Sequence, residues 1–148
     1  MRILVINGPN LNMLGKRDAE HYGTDSLASI EQKLTEKGKA LGGELTFFQS
    51  NHEGAIIDFI QEKASVADGI LINPGALTHY GYSLHDALAD AGLPVVEVHL
   101  SDIHAREEWR KISVISDIAI KQISGLKTKS YLVGLEALVE HIRSRKKK

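Results

Sequence analysis

The chain has 148 residues, with 18 Lys and Arg against 19 Asp and Glu, seven His and no Cys. A chain this long buries roughly 70% of its unfolded surface in one domain, so a single domain over residues 1–148 that folds without disulfide or metal is expected. The missing Cys excludes a disulfide scaffold, a thiolate zinc site, an iron–sulfur cluster and a Cys nucleophile, and no apolar run nears the ~20 residues of a membrane span.

Ile3–Ile6 is a short apolar run that stops at Asn7-Gly8-Pro9. Leu27, Ile30, Leu34 and Leu41 keep helical spacing up to Gly42-Gly43. Leu45–Phe48 reads as a strand. Ser50 and Glu53 form a capping-box pattern ahead of a helix carrying Ile56, Ile57, Ile60 and Ala64. Ile70–Ile72 is a continuous apolar run closed by Asn73-Pro74-Gly75. Leu84, Ala87, Leu88 and Ala91 make a third helical stripe ended by Gly92. Val95–Leu100 is the next strand, and a weaker strand is expected over Ile118–Ile123. The last helix carries Tyr131, Leu132, Leu135, Leu138, Val139 and Ile142. Residues 143–148 then hold five cations; without them the body has 13 basic and 19 acidic residues, a net charge of −6. That tail reads as a solvated, frayed helix end, and the acidic body argues against a nucleic-acid footprint.

Short apolar strands alternating with amphipathic helices imply a parallel sheet covered on both faces. Five strands in this length predict a flavodoxin-like, doubly wound α/β/α domain. In such sheets ligands sit beyond the carboxyl ends of the strands. Polar residues cluster there: Asn7–Asn12, Gln49–Glu53, Asn73–His79 and Glu97–Ser101.

The Gly8–Arg17 loop lacks the spacing of a phosphate loop. It carries Lys16, Arg17 and Tyr22 between Gly15 and Gly23, two candidate hinges. A guanidinium beside a phenol favours phenolate and could make a general base without metal; the plainer reading is an exposed Arg and a packed Tyr. Glu97 and His99 lie two apart on a strand and share a face. A carboxylate can orient an imidazole as a general acid, or the two form a structural pair. A metal reading through His99, Asp102 and His104 lacks a ligand-bearing helix face. His21, His85 and His141 have no supporting constellation, and His52 reads as a helix cap. Arg106, Glu107, Glu108 and Arg110 read as a short charged helix with a solvated face, from which Arg110 could turn toward a ligand.

Taken jointly, these segments resemble the type II 3-dehydroquinate dehydratases. The matching residues are Ile6–Asn12 with Leu14-Gly15, Arg17, Tyr22-Gly23, Gln49–Gly54, Asn73–Ala76 with Thr78-His79, and Glu97–Ser101 with Ile103–Glu107. They follow the family's order and spacing over residues 3 to about 140. The chain departs from the family at Asp102, where Asn is usual, at Tyr80-Gly81-Tyr82, and at Lys127–Ser130.

The resemblance implies a cofactor-free, metal-free trans-dehydration of 3-dehydroquinate to 3-dehydroshikimate, in the shikimate or quinate pathways, by a cytoplasmic enzyme. It makes Tyr22 the base, Arg17 the group that favours its charged form and transition state, and His99 the acid, oriented by Glu97. Asn73 would help hold a water on the developing enolate. Leu100 and Ser101 would bind the substrate carboxylate, and His79 and Arg110 its hydroxyls. Asp86 would reach a neighbouring subunit's site within a dodecamer of four trimers. Two rivals stand beside this expectation: a non-enzymatic flavodoxin-like binding module, and a nucleic-acid adaptor using the basic tail.

Overall fold

Five parallel strands pair in the order second, first, third, fourth, fifth, which is the flavodoxin-like doubly wound topology. In the computed structural model, which describes residues 1–147, they are β1 (Arg2–Asn7), β2 (Glu44–Gln49), β3 (Gly69–Asn73), β4 (Val95–Val98) and β5 (Lys121–Ile123). The helices are α1 (Ala19–Tyr22), α2 (Leu27–Ala40), α3 (Glu53–Lys63), α4 (Tyr82–Ala91) and α5 (Thr128–Lys146).

The side-chain alternation of β1 divides the core. Ile3 and Val5 join the apolar cluster under α2 and α5, with Leu34, Tyr131, Leu135 and Leu138. Leu4 and Ile6 join the opposite cluster under α3 and α4, with Ile56, Ile60, Leu84 and Leu88. The central strand β3 is buried along its whole length, which is why its sequence reads as an unbroken apolar run rather than an alternation. Truncating a core Leu such as Leu34 to Ala would cost about 2–5 kcal/mol.

The ends of β1 and β3 interlock where the site forms. Gly8 donates its N–H to the Asn73 carbonyl at 2.8 Å. A Cβ on Gly8 would lie 2.3 Å from the Pro74 carbonyl oxygen, so only glycine allows this approach.

Some elements differ from expectation. Strand β4 stops at Val98, but His99 still donates its N–H to Ile123 at the end of β5. Strand β5 is shorter than Ile118–Ile123, because Ile118 and Ala119 turn back onto the Ile115 carbonyl. The capping box does not form. Helix α3 starts at Glu53, so Ser50 sits two residues before the N-cap and accepts from the His52 N–H instead. His52 occupies the N-cap without a side-chain cap, and Glu53 accepts from the Leu84 N–H of α4 at 3.2 Å. Helix α5 starts at Thr128 and runs to Lys146, into the basic tail expected to fray. There Arg143 donates to the Leu41 carbonyl and Lys146 lies 3.8 Å from Asp68; Lys148 is outside the described residues. No described helix is long and apolar enough to cross a membrane.

Candidate active site

Loops leaving the carboxyl ends of β1, β3 and β4 line a partly open cavity of about 100 Å³, a concave site with convergent polar groups as small-molecule sites have. Arg17, Tyr22, Asn73, His79, His99, Leu100, Ser101 and Arg110 all line it. Glu97 stands behind His99. Asp86 does not line the cavity of its own chain; it is largely exposed on α4.

One wall is built from strand ends. Glu97 is fully buried and His99 nearly so. The Glu97 carboxylate accepts from His99 Nε2 at 2.6 Å, Thr78 Oγ1 at 2.5 Å and Ser113 Oγ at 2.8 Å. Burial alone would raise the carboxyl pKa, but the bonds from His99, Thr78 and Ser113 together outweigh it and hold the pKa below the usual value. With Nε2–H committed to Glu97, His99 keeps Nδ1 for another partner. Thr78 and Ser113, which complete this carboxylate's shell, carried no chemical signal in the sequence.

The other wall is a loop. It runs between Gly15 and Gly23, both at positive φ (93° and 77°), where a side chain would be strained. The one-turn helix α1, unforeseen in the sequence, is capped by Asp18 and ends on Tyr22. The Arg17 guanidinium lies 3.7 Å from the centre of the Tyr22 ring. Arg106 donates from Nη1 to Tyr22 Oη at 2.7 Å and to Ser101 Oγ at 3.2 Å. The phenol is therefore held by two cations. Arg106, expected on a solvated face, instead lines the cavity. Its position in the loop after β4, beside Ser101, was the available signal. Only Glu108–Arg110 of the expected charged helix forms a helical turn.

Asn73 spans the floor: Oδ1 accepts from the Gly75 N–H at 3.1 Å, and Nδ2 donates to Tyr131 Oη at 2.9 Å. His79 donates from Nδ1 to the Ile112 carbonyl at 2.7 Å. Burial lowers the His79 pKa more than that bond raises it. Arg110 donates to Glu107 and stacks on Trp109 at 4.1 Å.

Outside the cavity, His85 is not the isolated residue expected. Its ring bridges Asp86 at 3.1 Å and Asp117 at 3.0 Å. The residues of the metal reading do not converge: Asp102 caps the following turn by accepting from the His104 N–H, and His104 Nε2 bonds Gln122. Among the described residues no group of three or more His, Asp or Glu is arranged as a metal site.

A phenol between two guanidiniums faces the same cavity as an imidazole on a buried carboxylate, an arrangement able to take and give protons around one ligand space. Comparisons with known proteins show the family. The profile of the family described as dehydroquinase class II matches residues 1–139. A 3-dehydroquinate dehydratase of Halothermothrix orenii is 54% identical over 142 residues, 96% of each chain. The crystal structure of a type II dehydroquinase from Butyrivibrio crossotus superposes with a TM-score of 0.90 at 46% identity, covering 93% of this chain and 97% of that one. One from Propionibacterium acnes gives 0.89 at 38% identity, covering 94% and 96%. The chain belongs to the class II dehydroquinase family and is a hydro-lyase of the 3-dehydroquinate dehydratase type.

Proposed function

We propose that the chain removes water from 3-dehydroquinate by anti elimination through an enolate, without a cofactor. The observation that carries this reading is the shared cavity: Tyr22 under Arg17 and Arg106 on one side, His99 on Glu97 on the other. Tyr22, as phenolate, takes the proton from the carbon beside the ketone. The electrons move onto the ketone oxygen, giving an enolate that needs fixed donors. Asn73 supports a water at that oxygen. The enolate then collapses, the carbon–hydroxyl bond breaks, and protonated His99 gives its proton to the departing oxygen, which leaves as water. Tyr22 ends protonated and His99 neutral, so a proton must pass back through solvent before the next turnover.

Leu100 and Ser101 contact the substrate carboxylate, with Arg106 beside the Ser101 hydroxyl. His79 and Arg110 hold ring hydroxyls. Closure of the loop between Gly15 and Gly23 excludes water.

The same reading makes the chain a dodecamer of four trimers, with Asp86 facing a neighbour's cavity. Two features support it: Asp86 does not line its own cavity, and Tyr80, Tyr82, Trp109 and Ile112 expose apolar surface. Light scattering after size exclusion should give twelve times the 16.3 kDa protomer. A monomer would contradict the assembly.

Formation of the conjugated product, followed by ultraviolet absorbance on adding 3-dehydroquinate, tests the reaction. No rise would contradict it and leave a binding pocket. Activity should survive chelator treatment; its loss would contradict the cofactor-free reaction.

A further inference from the structure

Tyr131 belongs to the helical stripe of α5 and is fully buried in the core under that helix. A buried phenol must find partners for its hydroxyl. It finds them on the two central strands. Its Oη donates to Asn7 Oδ1 at 2.6 Å and accepts from Asn73 Nδ2 at 2.9 Å. Asn7 and Asn73 are paired neighbours in register at the ends of β1 and β3. Both are buried.

The orientations in this chain are determined by chemistry. The Gly75 N–H can only donate, so the Asn73 atom that receives it is the carbonyl oxygen. The Asn73 amide nitrogen therefore faces Tyr131 and donates to it. The single Tyr131 hydroxyl proton is then left for Asn7. Burial pushes the Tyr131 phenol well above its usual pKa, so that proton stays in place at neutral pH.

Packing fixes the reach. Gly134 lies one helical turn beyond Tyr131. A Cβ there would come within 2.5 Å of Val98 and 3.0 Å of Leu71, so α5 lies directly on the sheet. That approach carries the Tyr131 hydroxyl to the strand ends. The Asn73 amide has two N–H groups; one is committed to Tyr131, and its direction fixes where the other points.

We propose that Tyr131 is a positioning residue: through the buried chain Asn7–Tyr131–Asn73 it sets the orientation of the Asn73 amide at the floor of the cavity. This role rests on the dehydration assigned above, in which Asn73 supports the water at the enolate oxygen. An orientation set this way matters in the transition state and little in ground-state binding.

The test is steady-state kinetics of Tyr131→Phe on 3-dehydroquinate, alone and combined with Asn73→Ala, together with thermal unfolding. A loosened donor is expected to lower kcat about tenfold, with KM within about twofold. On the Asn73→Ala background the same substitution should change kcat by less than about twofold, because the residue through which it acts is gone. A merely structural Tyr131 would lower the melting temperature and leave kcat of the folded enzyme unchanged. That result, or a full tenfold loss added to that of Asn73→Ala, overturns the proposal. If Tyr131→Phe does not fold, Asn7→Ala carries the test by removing the acceptor of the Tyr131 proton. It should lower kcat about threefold and lose that effect beside Asn73→Ala; an unchanged kcat overturns the role. A wild-type chain inert toward 3-dehydroquinate contradicts the reaction and this role with it. An active wild type with an unaffected folded Tyr131→Phe contradicts this role alone.

Discussion

The two walls of the cavity are made in different ways. The strand-end wall holds His99, Glu97 and Asn73, all almost fully buried, hydrogen-bonded to Ile123, Thr78 and Tyr131 respectively on other elements. Its geometry is a by-product of sheet register and helix packing. The loop wall holds Arg17 and Tyr22, both half-buried, between two glycines at positive φ. It is ordered by the Asp18 cap, by the Tyr22 ring packing on the core under α2 and α5, by Arg17 over that ring and by one hydrogen bond from Arg106. The first wall is therefore bound up with global stability, and the second, only half-buried, is bound to it more loosely. In the proposed reaction the acid is prebuilt in the fold, while the base sits on a loop.

Substitutions on the two walls should separate these properties. The largest effect on turnover is expected at Tyr22→Phe, which removes the proposed base and should cut kcat about a thousandfold, while the melting temperature stays near that of wild type. A parallel loss of stability would show that the loop wall is as tied to the fold as the strand-end wall. Arg106→Ala should cost about a hundredfold in kcat with an equally small effect on unfolding, checked by the same two measurements. Glu97→Ala belongs to the other wall. It strips a buried imidazole of its partner, so it should lose both activity and roughly 3–5 kcal/mol in denaturant unfolding.

Ser113→Ala sharpens the point more gently. It removes one of the bonds that lower the Glu97 pKa against the opposing effect of burial. The folded pKa should rise toward the ordinary value. A depressed carboxyl stabilises the fold above its unfolded pKa and loses that contribution as pH falls through the folded pKa. The variant should thus start to lose stability at higher pH than wild type during acid titration, with kcat about tenfold lower.

The smallest effect is expected at His85, outside both walls. Its bonds to Asp117 and then Asp86 raise its pKa above 6.5. A raised histidine stabilises the fold fully below its unfolded pKa, and that contribution disappears as pH rises through the folded value. The melting temperature of wild type should exceed that of His85→Gln at about pH 6 and match it at about pH 9.

Much of this architecture is legible in the residues themselves. The apolar runs at Ile3 and Ile70 and the stripes of α2 and α4 give the layers, and the strand-end rule leads to Asn73 and His99. What escapes is contact between residues distant in sequence. Thr78 and Ser113 reach Glu97 across 19 and 16 residues, and Arg106 reaches Tyr22 across 84. Tyr131 reads as one more core position because periodicity reports its ring and not its hydroxyl. Local hydrogen bonding misleads at Ser50, where a helix-start pattern forms a turn instead.

The most direct test of the account is the absorbance assay run on wild type and on Tyr22→Phe side by side with 3-dehydroquinate. The account predicts a steady rise from conjugated product with wild type and almost none with a Tyr22→Phe enzyme that is folded as wild type. No rise with wild type, or comparable rates for the two proteins, would contradict it.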